Sequence, residues 1–309
     1  MKKKIFLDTD MLRDCDDAAA LAILLNLEAA GKCEIVGMAV SSRHPNSSTA
    51  VDVINRYFNR EGIPIGAPKN GRGAYRPDTV FLDPLANEYP HTLNSNDDAP
   101  NAVDIYRQVL AAAEDGEITL VTIGYMTNVA DLLESAPDKW SDMDGKTLVR
   151  KKVRLWICMG GNFPVDDAKD NVNFTRDMPA AYKAIREWPG EIHFVGREIG
   201  HNIFAGDSLR AVSQDNPVRR AYELHRGPGS PDNWNHHTAD PTTVWYAVHG
   251  CDGGFSLSGP GYIDLQPNGV FRWVDDPNGR QRYLFQKMPR DEMAQLMDDW
   301  MSMSPSGKD

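Results

Sequence analysis

The sequence predicts an α/β protein: a single domain on an open, mostly parallel sheet flanked by helices, with a small C-terminal β-hairpin appendage and a terminal helix. Three observations predict it. Short apolar, β-rich runs alternate with segments of helical period, the pattern of βαβ units. Polar and glycine-rich stretches fall directly after those runs. The 309 residues, 41% hydrophobic and 25% charged, suffice for one large core, so 1–309 reads as one domain.

The elements follow in order. KKIFL is a buried strand, and DDAAALAILLNLEAAG is a helix stopped at Gly31. EIVGMAVSS is a strand and STAVDVINRYFNREG a helix stopped at Gly62. From about Asn70 to Pro100 the chain is rich in Pro, Asn and Asp and lacks a strong period, which reads as a surface excursion able to act as a mobile flap. AVDIYRQVLAAAEDG, TNVADLLESAP and DMPAAYKAIREWPG have helical spacing, and ITLVTIG, KVRLWICMGG and EIHFVGREIG read as strands between and after them. GYIDLQPNGVFRWVDDPNGRQRYLFQK alternates apolar and polar residues around Asn268-Gly269 and Asn278-Gly279, dipeptides that supply positive φ in tight turns. It predicts the antiparallel appendage over 260–285. MPRDEMAQLMDDWMSM predicts a helix over 288–303 that packs back on the body, and SPSGKD should fray.

Composition excludes some functions. Lys plus Arg is 33 against 44 for Asp plus Glu, a formal charge of -11, which argues against nucleic acid or an anionic membrane as partner and favours a neutral or cationic ligand. No apolar run approaches the roughly 20 residues of a membrane span. After MKKK the apolar stretch is cut at Asp8, too early for a secretory signal. The expected location is cytoplasmic, with a periplasmic or secreted one open where a signal peptide has been removed. Cys15, Cys33, Cys158 and Cys251 show no CxxC spacing and read as reduced, mostly buried thiols.

The stretch IFLDTDMLRDCDDAAAL sets five acids, Asp8, Asp10, Asp14, Asp16 and Asp17, between a buried strand and an apolar helix. Such crowding repels and resists desolvation unless a cation or a shared proton compensates. Helix capping and first-turn acids explain Asp14 and Asp16, but not Asp8 and Asp10 at the strand end. Carboxylate oxygens with almost no cysteine nearby select calcium or magnesium over zinc. An EF-hand fails, because Leu12 and Arg13 stand where it needs an oxygen ligand and Gly. A phosphatase beginning with DxD would use Asp8 as nucleophile and would not need the second acid pair. Ligands of open parallel sheets bind outside the strand carboxyl ends, where the other polar candidates also fall. These include Ser42, Asn46, Thr127, Asn128, Asn171, Asn173, Glu198 and His201, with Asp240 opening a later helix.

Five motifs resemble the inosine-uridine nucleoside hydrolase family. DTDMLRDCDDAAAL resembles its signature DxDPGxDDAxA and follows the longer form DTDxGxDxDDA more closely; VTIGYMTNVADLL resembles TGxLTNxA, and VRLWICMGG resembles VVxMGG. NVNFTRDMPAA is similar to EFNxxxDPxAA and ADPTTVWYAV to HDPxAVAYL. The resemblance implies a nucleoside hydrolase fold and calcium held by Asp10, Asp17, Asp240 and the Ile123 carbonyl. It implies a ribose pocket of Asp16, Asn46, Met159 and Asn173, with Asn171 at the place of the Glu in EFN. The implied reaction is hydrolysis of a ribonucleoside or related N-riboside, Asp10 acting as general base on a water that calcium holds. Homodimers or homotetramers and a part in purine or pyrimidine salvage are implied as well, the apolar terminal helix being available for such a contact.

The departures from the family pattern shape further expectations. Met11-Leu12-Arg13 replace the glycine turn, which lets Arg13 either shield the acids or form a surface ion pair. Asn171 can hydrogen-bond a sugar hydroxyl but cannot supply charge, a loss that Glu198 could offset. Ala239 stands where purine-preferring members have His, leaving His237, or its neighbour His236, as the acid for the leaving group. Trp234 either stacks on an aglycone or packs under its loop. A catalytically weak or inactive calcium- and ribose-binding homologue is the alternative to an enzyme.

Overall fold

The computed structural model describes residues 2–69, 71–164, 171–227 and 233–305. Strands β1 (Lys3–Thr9), β2 (Cys33–Val40), β3 (Ile65–Gly66), β4 (Ile118–Thr122), β5 (Val153–Met159) and β6 (Ile192–Val195) pair in parallel in the order β6-β5-β4-β1-β2-β3. They are near-continuous apolar runs because helices cover both faces. Along β1, Ile5 and Leu7 join one buried cluster and Phe6 the other. The first face holds α1 (Asp16–Ala29) and α2 (Ser47–Tyr57), and the second holds α4 (Ala102–Ala112), α5 (Thr127–Glu134), α6 (Gly145–Lys152) and α8 (Met178–Glu187). Between these lie two short helices, α3 (Leu82–Glu88) and α7 (Val172–Thr175).

Later elements complete the first face: α9 (Arg197–Gly200), the paired strands β7 (Phe204–Ala205) and β8 (His236–His237), α10 (Pro217–Arg226), α11 (Ala239–His249) and α12 (Arg290–Ser302). The last strands are β9 (Phe255–Leu257), β10 (Gly261–Leu265), β11 (Phe271–Asp275) and β12 (Gln281–Gln286). Among the described residues Cys15, Cys33 and Cys158 are buried and Cys251 is exposed, all as free thiols. No helix of the described residues is long and apolar enough to cross a membrane.

The C-terminal strands depart from the expected appendage. β10 and β11 form the antiparallel hairpin, but β12 pairs in parallel with β6, Arg282 opposite His193, so the hairpin extends the central sheet. Gly269 has φ +85, as its turn requires. Gly279 does not have positive φ; its missing side chain matters for space, since a Cβ there would stand 2.3 Å from the Gly261 carbonyl oxygen.

The terminal helix forms as expected, and its Met293, Met297 and Met301 are fully buried. They pack with α1, and Asn26 Nδ2 donates to the carbonyls of Trp300 (2.9 Å) and Met303 (3.2 Å) at the end of α12. That apolar stripe is therefore spent inside the molecule. The expected fraying of SPSGKD falls largely on residues 306–309, outside the described residues, as does Asn70 at the start of the excursion. The excursion itself carries α3 and a parallel bridge from Ala74 to Ser42.

Candidate active site

The carboxyl ends of β1, β4 and β5 lie level, with Asp8 opposite both Ala39 and Thr122 and with Thr122 opposite Cys158. The loops after them enclose a cavity of about 320 Å³. Its lining includes Asp10, Asp14, Asp16, Asp17 and Asp240, together with Ile123, Met159, Asn171, Asn173 and His237. Two glycines let backbone converge there. A Cβ on Gly124 would stand 2.3 Å from the Asp10 amide nitrogen, and one on Gly200 would stand 2.3 Å from Ala239 Cα. Ser41 Oγ ties the same strand ends, donating to the Thr9 carbonyl (3.3 Å) and accepting from the Tyr125 amide (3.0 Å).

Met11 occupies the turn where the family pattern has glycine nearby, at φ +36. A side chain there is strained at a cost on the order of 1–3 kcal/mol. Local bonds hold it: its amide donates to Thr9 Oγ1 (3.0 Å) and Asp17 Oδ1 (3.2 Å), and its carbonyl accepts from Ser47 Oγ (2.9 Å). Thr9 Oγ1 itself donates to Asp17. The turn thereby fixes Asp17 and leaves the half-buried Asp10 facing the cavity.

Carboxylate oxygens of Asp16, Asp17 and Asp240 lie within 4.8 Å of one another, all three residues buried. Burial and the neighbouring acids push Asp17 and Asp240 well above the carboxylate range. Burial likewise pushes Asp10 up to about 6 against hydrogen bonds with Asp17 and Tyr125. Burial acts on Asp16 in the same direction, but His237 and His236 with the Asp240 amide hold it down to about 2. His237 Nδ1 lies 3.1 Å from Asp16 Oδ2, and this partner raises the imidazole although burial opposes it. An all-oxygen set whose members crowd to the point of holding protons fits a hard divalent cation, which would replace those protons. The closest trio contains Asp16 in place of Asp10; Asp10 joins through its bond with Asp17.

The expected ribose residues divide. Asn173 Nδ2 donates to the carbonyls of Ile123 and Met159, both at 3.2 Å, which locks these three cavity residues together. Asn171 lines the cavity while capping α7, its Oδ1 accepting from the Phe174 amide (3.3 Å). Asn46 does not line the cavity: its Nδ2 donates to Asp83 Oδ1 (2.8 Å) at the start of α2. Glu198 is also elsewhere, turned back so that Oε2 accepts from the Phe163 amide (3.0 Å). Both are polar residues after a strand whose side chains found local partners first. Trp234 is buried in the core and packs under its loop.

Tyr125, Arg76, Thr175 and Arg197 were not expected at the cavity, whereas Arg13 and His201 were among the candidates. Tyr125 stands two positions beyond Ile123 and hydrogen-bonds Asp10; its place in TIGYMTN was its only signal. Arg76 reaches the cavity from the excursion, paired through both nitrogens with Asp78 (2.9 and 2.7 Å). Arg13 lies 3.6 Å from the same Asp78 with its side chain about half exposed, so it forms the surface ion pair and also borders the cavity. Arg197, Thr175 and His201 also line the wall, with Val172 and Ala239, and the His201 ring stacks on His237 at 4.1 Å.

Comparison with known proteins agrees with this fold. No curated protein sequence matches the chain. Among solved structures, the plant nucleoside hydrolase PpNRh1 is 21% identical with a TM-score of 0.72, the alignment covering 98% of this chain and 99% of that one. The inosine-uridine preferring nucleoside hydrolase from Bacillus anthracis is 16% identical, TM-score 0.71, covering 97% and 99%. The type III effector protein XopQ, solved with adenosine diphosphate ribose, is 15% identical, TM-score 0.73, covering 98% and 93%. At these identities the structures establish the shared fold. The sequence family described as inosine-uridine preferring nucleoside hydrolase matches residues 5–281, nearly the whole chain. By that match and its fold the protein belongs to the inosine-uridine preferring nucleoside hydrolase family, the hydrolases of N-ribosyl bonds.

Proposed function

We propose that this chain hydrolyses the N-glycosidic bond of a ribonucleoside or related N-riboside, with calcium at the acidic cluster and Asp10 as general base. One observation carries the reading: Asp240 meets Asp16 and Asp17 from across the sequence within 4.8 Å, in a cavity shared with Asp10 and Ile123. Asp10, Asp17, Asp240 and the Ile123 carbonyl would hold the ion. When bound, calcium supplies an anchor for vicinal hydroxyls and acidifies water.

The protein's own groups do the rest. Asp10, braced by Tyr125 and Asp17, accepts the proton of the attacking water. Asp16, kept ionised by His237, accepts from a ribose hydroxyl, and Met159 and Asn173 border the sugar. The dense negative charge favours the oxocarbenium-like sugar as the bond to the leaving group breaks. His237 has Nδ1 committed to Asp16, which leaves Nε2 to protonate the departing group.

Release of nitrophenol from a nitrophenyl riboside tests this. The Asp10→Asn variant should lose about 10²- to 10⁴-fold in kcat, and Asp240→Asn should lose calcium in equilibrium dialysis. Absence of turnover in the wild type, with calcium and ribose still bound, would establish the binding homologue instead. The uncharged Asn171 in the cavity wall is what favours that second reading. Since XopQ was solved with adenosine diphosphate ribose, its set of test ligands should include that compound beside nucleosides. A homodimer or homotetramer, read by light scattering, and a salvage role belong to the same proposal.

A further inference from the structure

Cys15, His225 and His236 come from three separate elements: the residue capping α1, the last turn of α10, and β8. One ligand atom from each lies within 4.8 Å of the other two. None of the three lines the acidic cavity. Cys15 is fully buried, and the rings of His225 and His236 meet edge to face at 4.6 Å. The neighbouring His237 is committed to Asp16, so the two adjacent histidines need not share an ion.

His236 Nε2 is buried and has no hydrogen-bond partner among the described residues, and the buried Tyr222 hydroxyl is directed at Cys15. A metal-bound thiolate accepts a hydrogen bond that a neutral thiol accepts poorly, which would strengthen that contact. Asp14 comes within 4.8 Å of a His236 nitrogen too, but it groups with Asp16 and His237 and faces the acidic cavity.

We propose that Cys15, His225 and His236 bind a divalent transition ion, zinc by preference, with solvent completing the set. Sulfur with two imidazoles selects zinc, whereas calcium takes oxygens, so the two sites sort their ions by donor chemistry. Binding converts the Cys15 thiol to thiolate and releases its proton to solvent. The ion adds positive charge beside acids that one calcium leaves partly uncompensated. It also joins the acidic turn to α10 and β8, making it a positioning site rather than a catalytic one. The inference stands whether or not the cavity turns over a riboside.

The test uses the full chain with calcium in excess and one equivalent of zinc. Anomalous diffraction at the zinc edge should give a peak between Cys15 Sγ and the rings of His225 and His236. In solution, one equivalent of cobalt should give thiolate-to-cobalt charge-transfer absorption, lost in Cys15→Ser and retained in Cys251→Ser. His225→Gln should weaken cobalt binding more than about tenfold. A zinc peak only among Asp16, Asp17 and Asp240 overturns the proposal. So does a missing charge-transfer band, or one that survives in Cys15→Ser. If Cys15→Ser fails to fold by circular dichroism, the wild-type crystal and the His225→Gln titration decide.

Discussion

The carboxyl of Asp8 is fully buried and accepts from the Tyr106 hydroxyl (2.7 Å) and Asn128 Nδ2 (3.0 Å), while Asp10, two residues on, faces the cavity. β1 ends at Thr9, so the turn at Met11, and not strand alternation, aims Asp10 at the cavity, while burial pushes Asp8 up to about 7. Asp8 is thus a framework residue. Tyr106→Phe should cost about 1–3 kcal/mol in urea denaturation by leaving a buried acceptor short of a donor. Glu198 offers a pH test away from the acids. Burial raises it to about 7 from 4.5, so between those values the native state keeps a proton that the unfolded chain has lost. Stability contributed at this position therefore falls as pH rises through that window. Glu198→Gln keeps an acceptor for the Phe163 amide but has no charge, so its Tm relative to wild type should rise from below pH 4.5 to above pH 7. A constant difference would contradict this account.

Between elements, the close approach of β1 and the β4–α5 turn depends on Gly124. Adding a methyl in Gly124→Ala forces apart Asp10 and the turn carrying Ile123, at a cost of about 1–3 kcal/mol and with weaker calcium binding by calorimetry. Unchanged calcium affinity would show that the convergence tolerates slack. The five parallel strands β1, β2, β4, β5 and β6 were legible because each is a continuous apolar run, and the acids were legible because they follow one. α10 was not: Arg219, Arg220, Glu223 and Arg226 dominate its ten residues, and it buries little beyond Pro217, Val218, Ala221 and Tyr222. The placement of β12 was illegible for another reason. Alternation around a turn announces local antiparallel pairing, but choosing β6 as a parallel neighbour depends on packing far away in sequence. The fates of Asn46 and Glu198 were hidden likewise, because a hydrogen bond to Asp83 or to the Phe163 amide leaves no pattern in composition.

For the whole molecule, site and stability are coupled through the acids. With calcium at the cluster as proposed, chelation should leave Asp17 and Asp240 crowded together and lower Tm, and calcium at a hundred times the dissociation constant should restore about 2.7 kcal/mol of stability. An identical Tm with and without chelator would mean that the cluster is relieved by protons alone. The formal charge of -11 spreads over a surface whose cavity nevertheless collects Arg13, Arg76 and Arg197, so net charge describes encounter with large anionic surfaces better than it describes the ligand.

The union of α1 with α12 has a consequence for biosynthesis. The helix that begins with Asp16 and Asp17 is translated well before the methionines that cover it and the carbonyls that receive Asn26, which stands 274 residues ahead of Trp300. A nascent chain therefore carries an uncovered, sticky helix until those residues follow, which makes it a natural client for chaperones that shield emerging polypeptides.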